Sequence, residues 1–435
     1  MIGYQTEFTK TIKVLWFSLS PCGSLRRNNT KRVIQGWMIS LEDALKQNTD
    51  IELEVAYFSN KEEKAFTYDG VKYYPMYIKR GSGILAKIIE TYRSTESIDR
   101  QAKEVMLNVI KQSNPNLIHI HGTEQSFGLI AEDVKHIPIC YSLQGLLAPI
   151  SERFFAGYTE IQINKYRGLY AKLRRTTATH DYRRMSKKGE REIDFIKEAK
   201  YIMGRTEWDR SICKMINPEA EYFVINEILR KPFYTTNWKK EKFGYPLQLL
   251  TVLSPGQIYK GYETLLKAAT LLKKHYGNDF VWNVAGYSAN NWLADIGHKI
   301  YKTTDKECNI NLCGLVSAEE LAAMLANTDI YIQTSHIENS PNSICEAMLV
   351  GTPIIATNVG GTETMLQGCG TLIPDGDPYI MAATIIKVAN NFDVAKQKSA
   401  KGLDIAMSRH NKNDIAQQLI ETYNYIIKDF SNSQR

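Results

Sequence analysis

Short β-branched and aromatic runs alternate with longer stretches of helical periodicity along this chain, and polar residues and glycines gather where one gives way to the other. In the first half the strand-like runs lie at 12–19, 51–58, 71–78, 117–121, 137–143, 201–205 and 223–225, with helical patterns at 38–47 and 84–114 and a helix start capped by Thr206. A second alternation begins at 247–253 and continues through strands at 280–285, 309–313, 329–335, 352–357 and 370–373. Its helices are expected at 262–276, 318–326, 341–350, from Thr362, and at 415–428. Strand–helix alternation of this kind predicts α/β architecture, here two Rossmann-like, doubly wound parallel sheets. The polar stretch holding Lys231, Pro232, Asn237, Lys239, Lys240, Glu241 and Lys242 reads as an exposed linker. It divides the chain into domains at 1–235 and 246–405, with a terminal helix at about 412–431 apolar enough to pack back on the body.

Length agrees with two cores, since 435 residues exceed one ordinary domain. Apolar content of 43% against 23% charged residues describes a soluble globular chain. No apolar run approaches the roughly 18 residues that span a bilayer. The early run 12–19 is short, contains Lys13 and lacks a small-residue cleavage site, so it reads as a first strand rather than a signal peptide. Seven scattered cysteines, of which only Cys308 and Cys313 are close, point to neither a zinc site nor a disulfide framework, and a cytoplasmic location is expected. The loop after the first strand is not a GxGxxG fingerprint and no Walker A motif occurs, which disfavours a dinucleotide oxidoreductase or a P-loop NTPase.

Charge is concentrated. Between Lys165 and Arg191 ten basic residues face two acids, a net of +8 that accounts for the whole +7 of the chain. Interleaved Tyr166, Leu169, Tyr170, Leu173 and Tyr182 leave open a solvated helix face, an anionic membrane surface, a polyanionic acceptor or nucleic acid. The preceding stretch 146–158, with Phe154, Phe155 and Tyr158, breaks the regular alternation and reads with the basic run as an acceptor- or membrane-facing insertion at about 146–192.

Candidate chemistry centres on residues 329–357, DIYIQTSHIENSPNSICEAMLVGTPIIAT. The pattern is strand, loop, short helix, strand: Ser340 is a plausible N-cap, Pro341 a first helical residue and Gly351 a C-terminal stop. Glu338 stands in the loop and Glu346 in the second turn, with free amides expected at Asn342 and Ser343 between them. A helix start at the carboxyl end of a parallel strand is a natural anion site. Seven Glu pairs in the chain share the eight-residue spacing, but only this one brackets a helix start between two strands.

In that context the stretch resembles the E-x7-E signature of the retaining family-4 glycosyltransferases, and QIYKG around Lys260 resembles their K-G motif. The resemblance implies a GT-B fold, two Rossmann-like domains facing across a cleft, with the terminal helix crossing to the first domain. It implies retaining transfer of a hexose or N-acetylhexosamine from a nucleotide-diphosphate sugar to a saccharide or lipid-linked saccharide, in surface polysaccharide biosynthesis. It also implies no cofactor and no metal, no nucleic acid partner, and a cytoplasmic enzyme with peripheral association with an anionic membrane. Lys260 would neutralise the departing diphosphate and Glu338 would contact the donor sugar. Glu346 would bind the ribose, Asn342 and Ser343 the sugar or β-phosphate, Gly23 the donor, and Gly286, Gly314 and Leu315 the base.

Two departures matter. The family usually has a histidine near Gln144, which with Gly145 ends a strand facing the sugars; glutamine cannot titrate, and His121 is the candidate to take part of that catalytic role. A second basic residue is often found where this chain has Pro255, and Arg205 is the candidate to compensate. Asp375-Gly376-Asp377 spells a DxD, yet its PDGDP setting reads as a turn. Rival readings are a sugar-nucleotide 2-epimerase of the same fold and a non-catalytic nucleotide-sugar-binding subunit; the insertion and basic run argue for transfer over epimerisation.

Overall fold

The computed structural model describes residues 11–28, 36–79, 95–166 and 177–434. The first half runs β1 (Ile12–Ser18), α1 (Gly36–Leu45), β2 (Ile51–Ser59), β3 (Phe66–Tyr68), β4 (Val71–Tyr77), α2 (Thr95–Ser113), β5 (Leu117–His121) and β6 (Ile139–Ser142). It continues through α3 (Leu147–Glu152), α4 (Glu160–Lys165), α5 (Ala178–Glu198), β7 (Tyr201–Gly204), α6 (Glu207–Ile216) and β8 (Glu221–Val224). Their sheet has the order β3-β4-β2-β1-β5-β6-β7-β8 and is parallel except for the β3–β4 hairpin. That hairpin closes on Asp69-Gly70, a dipeptide suited to two-residue turns, and was not anticipated from the hydrophobic pattern. The part of the expected helix at 84–94, and Leu169, Tyr170 and Leu173 of the basic run, lie outside the described residues.

The second half runs α7 (Lys231–Thr235), β9 (Leu247–Val252), α8 (Tyr262–Tyr276), β10 (Phe280–Ala285), α9 (Trp292–Tyr301), β11 (Ile310–Gly314), α10 (Ala318–Asn327) and β12 (Ile330–Gln333). Then come α11 (Asn342–Val350), β13 (Ile354–Thr357), α12 (Thr362–Leu366), β14 (Thr371–Ile373), α13 (Pro378–Ala389), α14 (Phe392–Arg409) and α15 (Lys412–Ser433). This sheet is parallel throughout, in the order β11-β10-β9-β12-β13-β14. Of its central strands β12 and β13 are buried along their length and β9 at four of its six residues, as helices on both faces require.

The terminal helix α15 returns to the first sheet. Ile415, Leu419, Tyr423 and Ile426 pack with Trp16, Trp37 and Leu41. The Tyr423 hydroxyl accepts from Trp16 Nε1 at 3.0 Å and meets His119 Nδ1 at 2.6 Å.

One reading is refined and one corrected. In the linker stretch Lys231, Asn237, Lys239, Glu241 and Lys242 are exposed, as expected of a boundary, while Phe233 of α7 and Trp238 are buried with Tyr331 and Met348. The fully buried Asp329 carboxylate gathers Lys240 Nζ and the Gly244 and Gln248 amides at 2.6–3.0 Å. A buried carboxylate needs such donors, and they tie the polar stretch down. Phe154 and Tyr158 do not face a membrane. They are buried in one cluster with Tyr262, Leu266 and Leu293, so the segment after β6 crosses to the second domain and packs there.

Candidate active site

All strands of the second sheet run in one direction, so the loops that follow β9, β10, β11 and β12 emerge at one edge. Because β9 and β12 are neighbours, residues 78 apart in sequence become adjacent. Lys260 Nζ lies 2.5 Å from Glu338 Oε1, and the Ser335 hydroxyl donates to the same oxygen at 2.6 Å. The backbone fixes the approach: Thr334 Oγ1 donates to the Lys260 carbonyl and the His336 amide to the Tyr259 carbonyl, both at 2.8 Å. Gly261 makes it possible. Its φ is +77°, and a Cβ there would stand 1.9 Å from the Thr334 carbonyl oxygen, a contact no other residue type allows.

His336, two residues before Glu338, is clamped between Glu263 (2.7 Å) and Asp375 (2.6 Å). Burial opposes its positive charge, but the bonds to Asp375 and Glu263 outweigh it and raise the imidazole to about 9. This gives the DxD its place in the fold. Asp375 holds His336, while Asp377 caps α13 by accepting from the Tyr379 and Ile380 amides.

Helix α11 begins at Asn342, with Pro341 rather than Ser340 at the cap position. Ser340 is drawn elsewhere, its hydroxyl donating to the fully buried Glu227 at 3.0 Å. Thr206 Oγ1 donates to Asn339 Oδ1 at 2.8 Å, so the entry to α11 is held by the first domain. The amides of Asn342 and Ser343 open the helix and have no acceptor a turn earlier in it. Behind them Glu346 is 4% exposed and accepts from Arg230 through Nη2 at 2.6 Å and Nε at 3.2 Å, both on Oε1. Burial raises its carboxyl above the usual range, and Arg230 opposes that rise. At the outer strands, the Gly286 amide donates to the Gly314 carbonyl and the Gly314 amide to the Tyr287 carbonyl, both at 2.7 Å, leaving Leu315 exposed beside them.

The structure thus brings together Lys260, Glu338, Asn342, Ser343 and Glu346 on adjoining loops and one helix, with Gly286, Gly314 and Leu315 along the same edge. Gln144 and Gly145 follow β6, at the corresponding edge of the first sheet. Three other candidates are corrected. His121 is 1% exposed, with its ring edge-on to Trp16 and tilted against His119. It shares with Arg205 a cavity of about 10 Å³, far too small for a sugar. Burial, with His119 and Arg205 beside it, drives its pKa well down, so the ring is neutral. Arg205 lies over Trp37 and pairs with Glu227 at 3.4 Å. Burial opposes charge on Glu227, but Arg205 and its neighbours hold that carboxyl at about 2, so Arg205 is already committed. Gly23 donates its amide to Glu42 Oε2 at 2.9 Å, which takes the group a diphosphate would use.

Two residues at the cleft were missed. Arg230 came from a stretch read as linker, and no local pattern marks it. Glu124 lies three residues beyond the β5 strand end, where continuing past His121-Gly122 would have found it. Burial raises its carboxyl to about 7, and its Oε2 has no hydrogen-bond partner among the described residues. Glu124 lines a cavity of about 230 Å³ between the domains, walled by Leu147, Arg184 and Lys188 on one side and by Gly256, Gln257 and Tyr259 on the other. A larger one, of about 990 Å³, opens at the carboxyl ends of β1, β2 and β4. Among the described residues the one group suited by proximity to hold a metal is buried Glu227, Cys345 and His410. The Cys345 thiol already donates to Glu227 at 3.1 Å, and Arg205 stands against that carboxylate.

Residues 249–391 match the family described as Glycosyl transferases group 1. Over 164 residues the chain is 27% identical to an amylovoran biosynthesis glycosyltransferase of Erwinia amylovora, a match covering 34% of this chain. Over 122 residues it is 30% identical to a D-inositol 3-phosphate glycosyltransferase of Pseudarthrobacter chlorophenolicus, covering 28% of this chain. These matches span 39% and 29% of the length of those relatives. Among solved structures, sucrose-phosphate synthase from Thermosynechococcus elongatus aligns at a TM-score of 0.67 and 14% identity, over 96% of this chain and all of that one. HepE of Anabaena, in complex with UDP and glucose, aligns at 0.63 and 16% identity over 95% and 99%. The fold is GT-B.

Proposed function

We propose that the protein is a retaining glycosyltransferase that moves a hexose or N-acetylhexosamine from a nucleoside diphosphate sugar to a saccharide or lipid-linked saccharide, without a metal, in surface polysaccharide assembly. The observation that carries this reading is the Lys260–Glu338 contact beside the opening of α11. A cation and the first amides of a helix together suit a departing diphosphate. Glu338, in the same loop, suits the positive charge that develops at the anomeric carbon. Glu346 Oε2, which Arg230 leaves unused, is the atom for ribose hydroxyls.

In the transfer, the bond from the anomeric carbon to phosphate breaks as the bond to the acceptor oxygen forms. The acceptor proton passes to the departing diphosphate, since Gln144 cannot titrate and His121 is sealed in the core. The relative from Erwinia amylovora, named for amylovoran biosynthesis, and the UDP-bound Anabaena structure support a nucleotide donor and a polysaccharide product. Association with the cytoplasmic face of a membrane rests on the basic residues of α5, because the aromatics before it are spent on packing. No helix among the described residues is long and apolar enough to cross a membrane.

The test is donor turnover. Purified protein is incubated with UDP-, GDP- and ADP-sugars and candidate saccharide acceptors, with and without EDTA. Turnover with retained configuration, unaffected by EDTA and lost in a folded Glu338→Ala variant, is expected. Binding without turnover would favour a non-catalytic subunit, and acceptor-independent inversion at C2 of the donor would favour an epimerase.

A further inference from the structure

Helix α5 sets Arg184, Lys188 and Arg191 on one face by their spacing of four and three. Arg191 is neutralised by Asp99 at 2.8 Å. Neither Arg184 nor Lys188 has a hydrogen bond or ion pair among the described residues. Both line the interdomain cavity opposite Gly256, Gln257 and Tyr259, next to Lys260, and both also line the larger cavity at the end of the first sheet. They therefore stand on the ridge between the two spaces.

The cations at the donor edge of the second sheet already have their own carboxylates, Lys260 with Glu338 and Arg230 with Glu346, whereas Lys187, which lines the larger cavity, is without an ion pair among the described residues, like Arg184 and Lys188. The acids lining the two cavities are Asp181, one turn before Arg184, Glu124, whose carboxyl burial raises to about 7, and Glu190, Asp194 and Asp99 on the larger one, of which Asp194 pairs with Lys197 and Asp99 with Arg191; none pairs with Arg184 or Lys188. Lys188 is crowded by like charge as well as by burial. Burial lowers its ammonium pKa, with Arg191 and Arg184 adding to the effect and Glu124 and Asp99 only partly opposing it. A binding site left with uncompensated, partly desolvated cations is one built for an anion that arrives with the ligand.

We infer that Arg184 and Lys188 form a phosphate-binding site on the first domain, which closes over the loop 256–260 and completes the charge relief that Lys260 begins. The inference rests on the glycosyl-transfer reading for its purpose, but not for its chemistry. The phosphate belongs either to the donor diphosphate, reached across the 230 Å³ cavity, or to a phosphate carried by the acceptor in the larger one.

Calorimetric titration separates these sources in the full-length chain. Arg184→Ala/Lys188→Ala is compared with wild type and with the charge-preserving Arg184→Lys/Lys188→Arg, each checked for an unchanged melting temperature. Three probes are used: inorganic pyrophosphate, UDP, and glucose 1-phosphate added to UDP-saturated protein. A donor phosphate site predicts about tenfold or greater loss of pyrophosphate and UDP affinity in the alanine variant, largely restored in the charge-preserving one. An acceptor site predicts unchanged UDP binding and selective loss of glucose 1-phosphate. Equal affinities of wild type and alanine variant for all three probes, or no binding of any of them by wild type, would overturn the inference. Pyrophosphate binding that depends on Arg184 and Lys188 in a protein that turns over no sugar nucleotide would instead sink the transferase reading and leave this site standing.

Discussion

Arg230 reaches 116 residues along the chain to place its guanidinium on Glu346, with Nη2 2.6 Å from Oε1. Glu346 is buried in the helix that opens at the proposed donor site, and Arg230 is the cation that offsets its burial. Arg230→Ala should leave a buried carboxylate unpaired and lower stability by roughly 1–3 kcal/mol. Nucleoside diphosphate affinity should fall with it, because the ribose-facing oxygen loses its orientation. Adding Glu346→Gln should recover part of the stability and none of the affinity. Urea unfolding and nucleotide titration of both singles and the double provide the cycle, and additive stability effects would contradict the pairing.

Lys260→Ala removes the cation from the proposed leaving group without creating a large void. Turnover should drop by about 10² to 10³, in line with the loss of one electrostatic contact to developing charge. The melting temperature should move little, since Glu338 keeps its bond from Ser335. Steady-state kinetics on the identified donor provide the check. A loss expressed only in KM would make Lys260 a binding residue rather than one acting on the transition state.

How much of this site could be read from the chain depended on the range of the contacts. The βαβ unit around Glu338 and Glu346 was legible because its punctuation is local: an apolar strand, a proline, a short helix, a glycine. Lys260 was legible for the same reason, with Gly261 beside it. Arg230 was not, because its partner is set by tertiary packing and its neighbours Pro232 and Lys239 are those of a surface stretch. His121 was misread in the opposite direction. A strand end followed by glycine looks open to ligand, but Trp37 of α1 and the partners of His119, among them Tyr423 of α15, close over that end of the sheet. Phe154 and Tyr158 were likewise taken as a face awaiting an acceptor or membrane, when the apolar surface that covers them belongs to the second domain.

His336 should make stability depend on pH. Its folded-state pKa is raised to about 9, above the unfolded value near 6.5. The stabilisation is therefore fully present below about pH 6.5 and is lost as pH rises through about 9, by roughly 3 kcal/mol at most. Unfolding free energies measured between pH 6 and 10 should decline across that window in wild type and less steeply in His336→Gln. Because His336 anchors the loop that carries Glu338, donor affinity should weaken over the same window. Parallel stability curves for the two proteins would remove His336 as the cause.

Gly261 and Gly351 both have a positive φ, of +77° and +80°, but they differ in what a side chain would meet. At Gly351, the C-terminal stop of α11, the nearest atom to an added Cβ is Leu403 Cδ2 at 3.8 Å, so Gly351→Ala should cost only the left-handed backbone, about 1–2 kcal/mol. At Gly261 the same backbone cost is joined by a 1.9 Å approach to the Thr334 carbonyl oxygen, which cannot give way without moving the end of β12. Gly261→Ala should therefore destabilise more than Gly351→Ala. It should also separate Lys260 from Glu338, so that sugar-nucleotide turnover falls further than the stability loss explains. Denaturation and kinetics on both variants decide the point. Equal costs at the two glycines, with turnover intact in Gly261→Ala, would mean that close packing of the β9 and β12 loops is not what assembles the site.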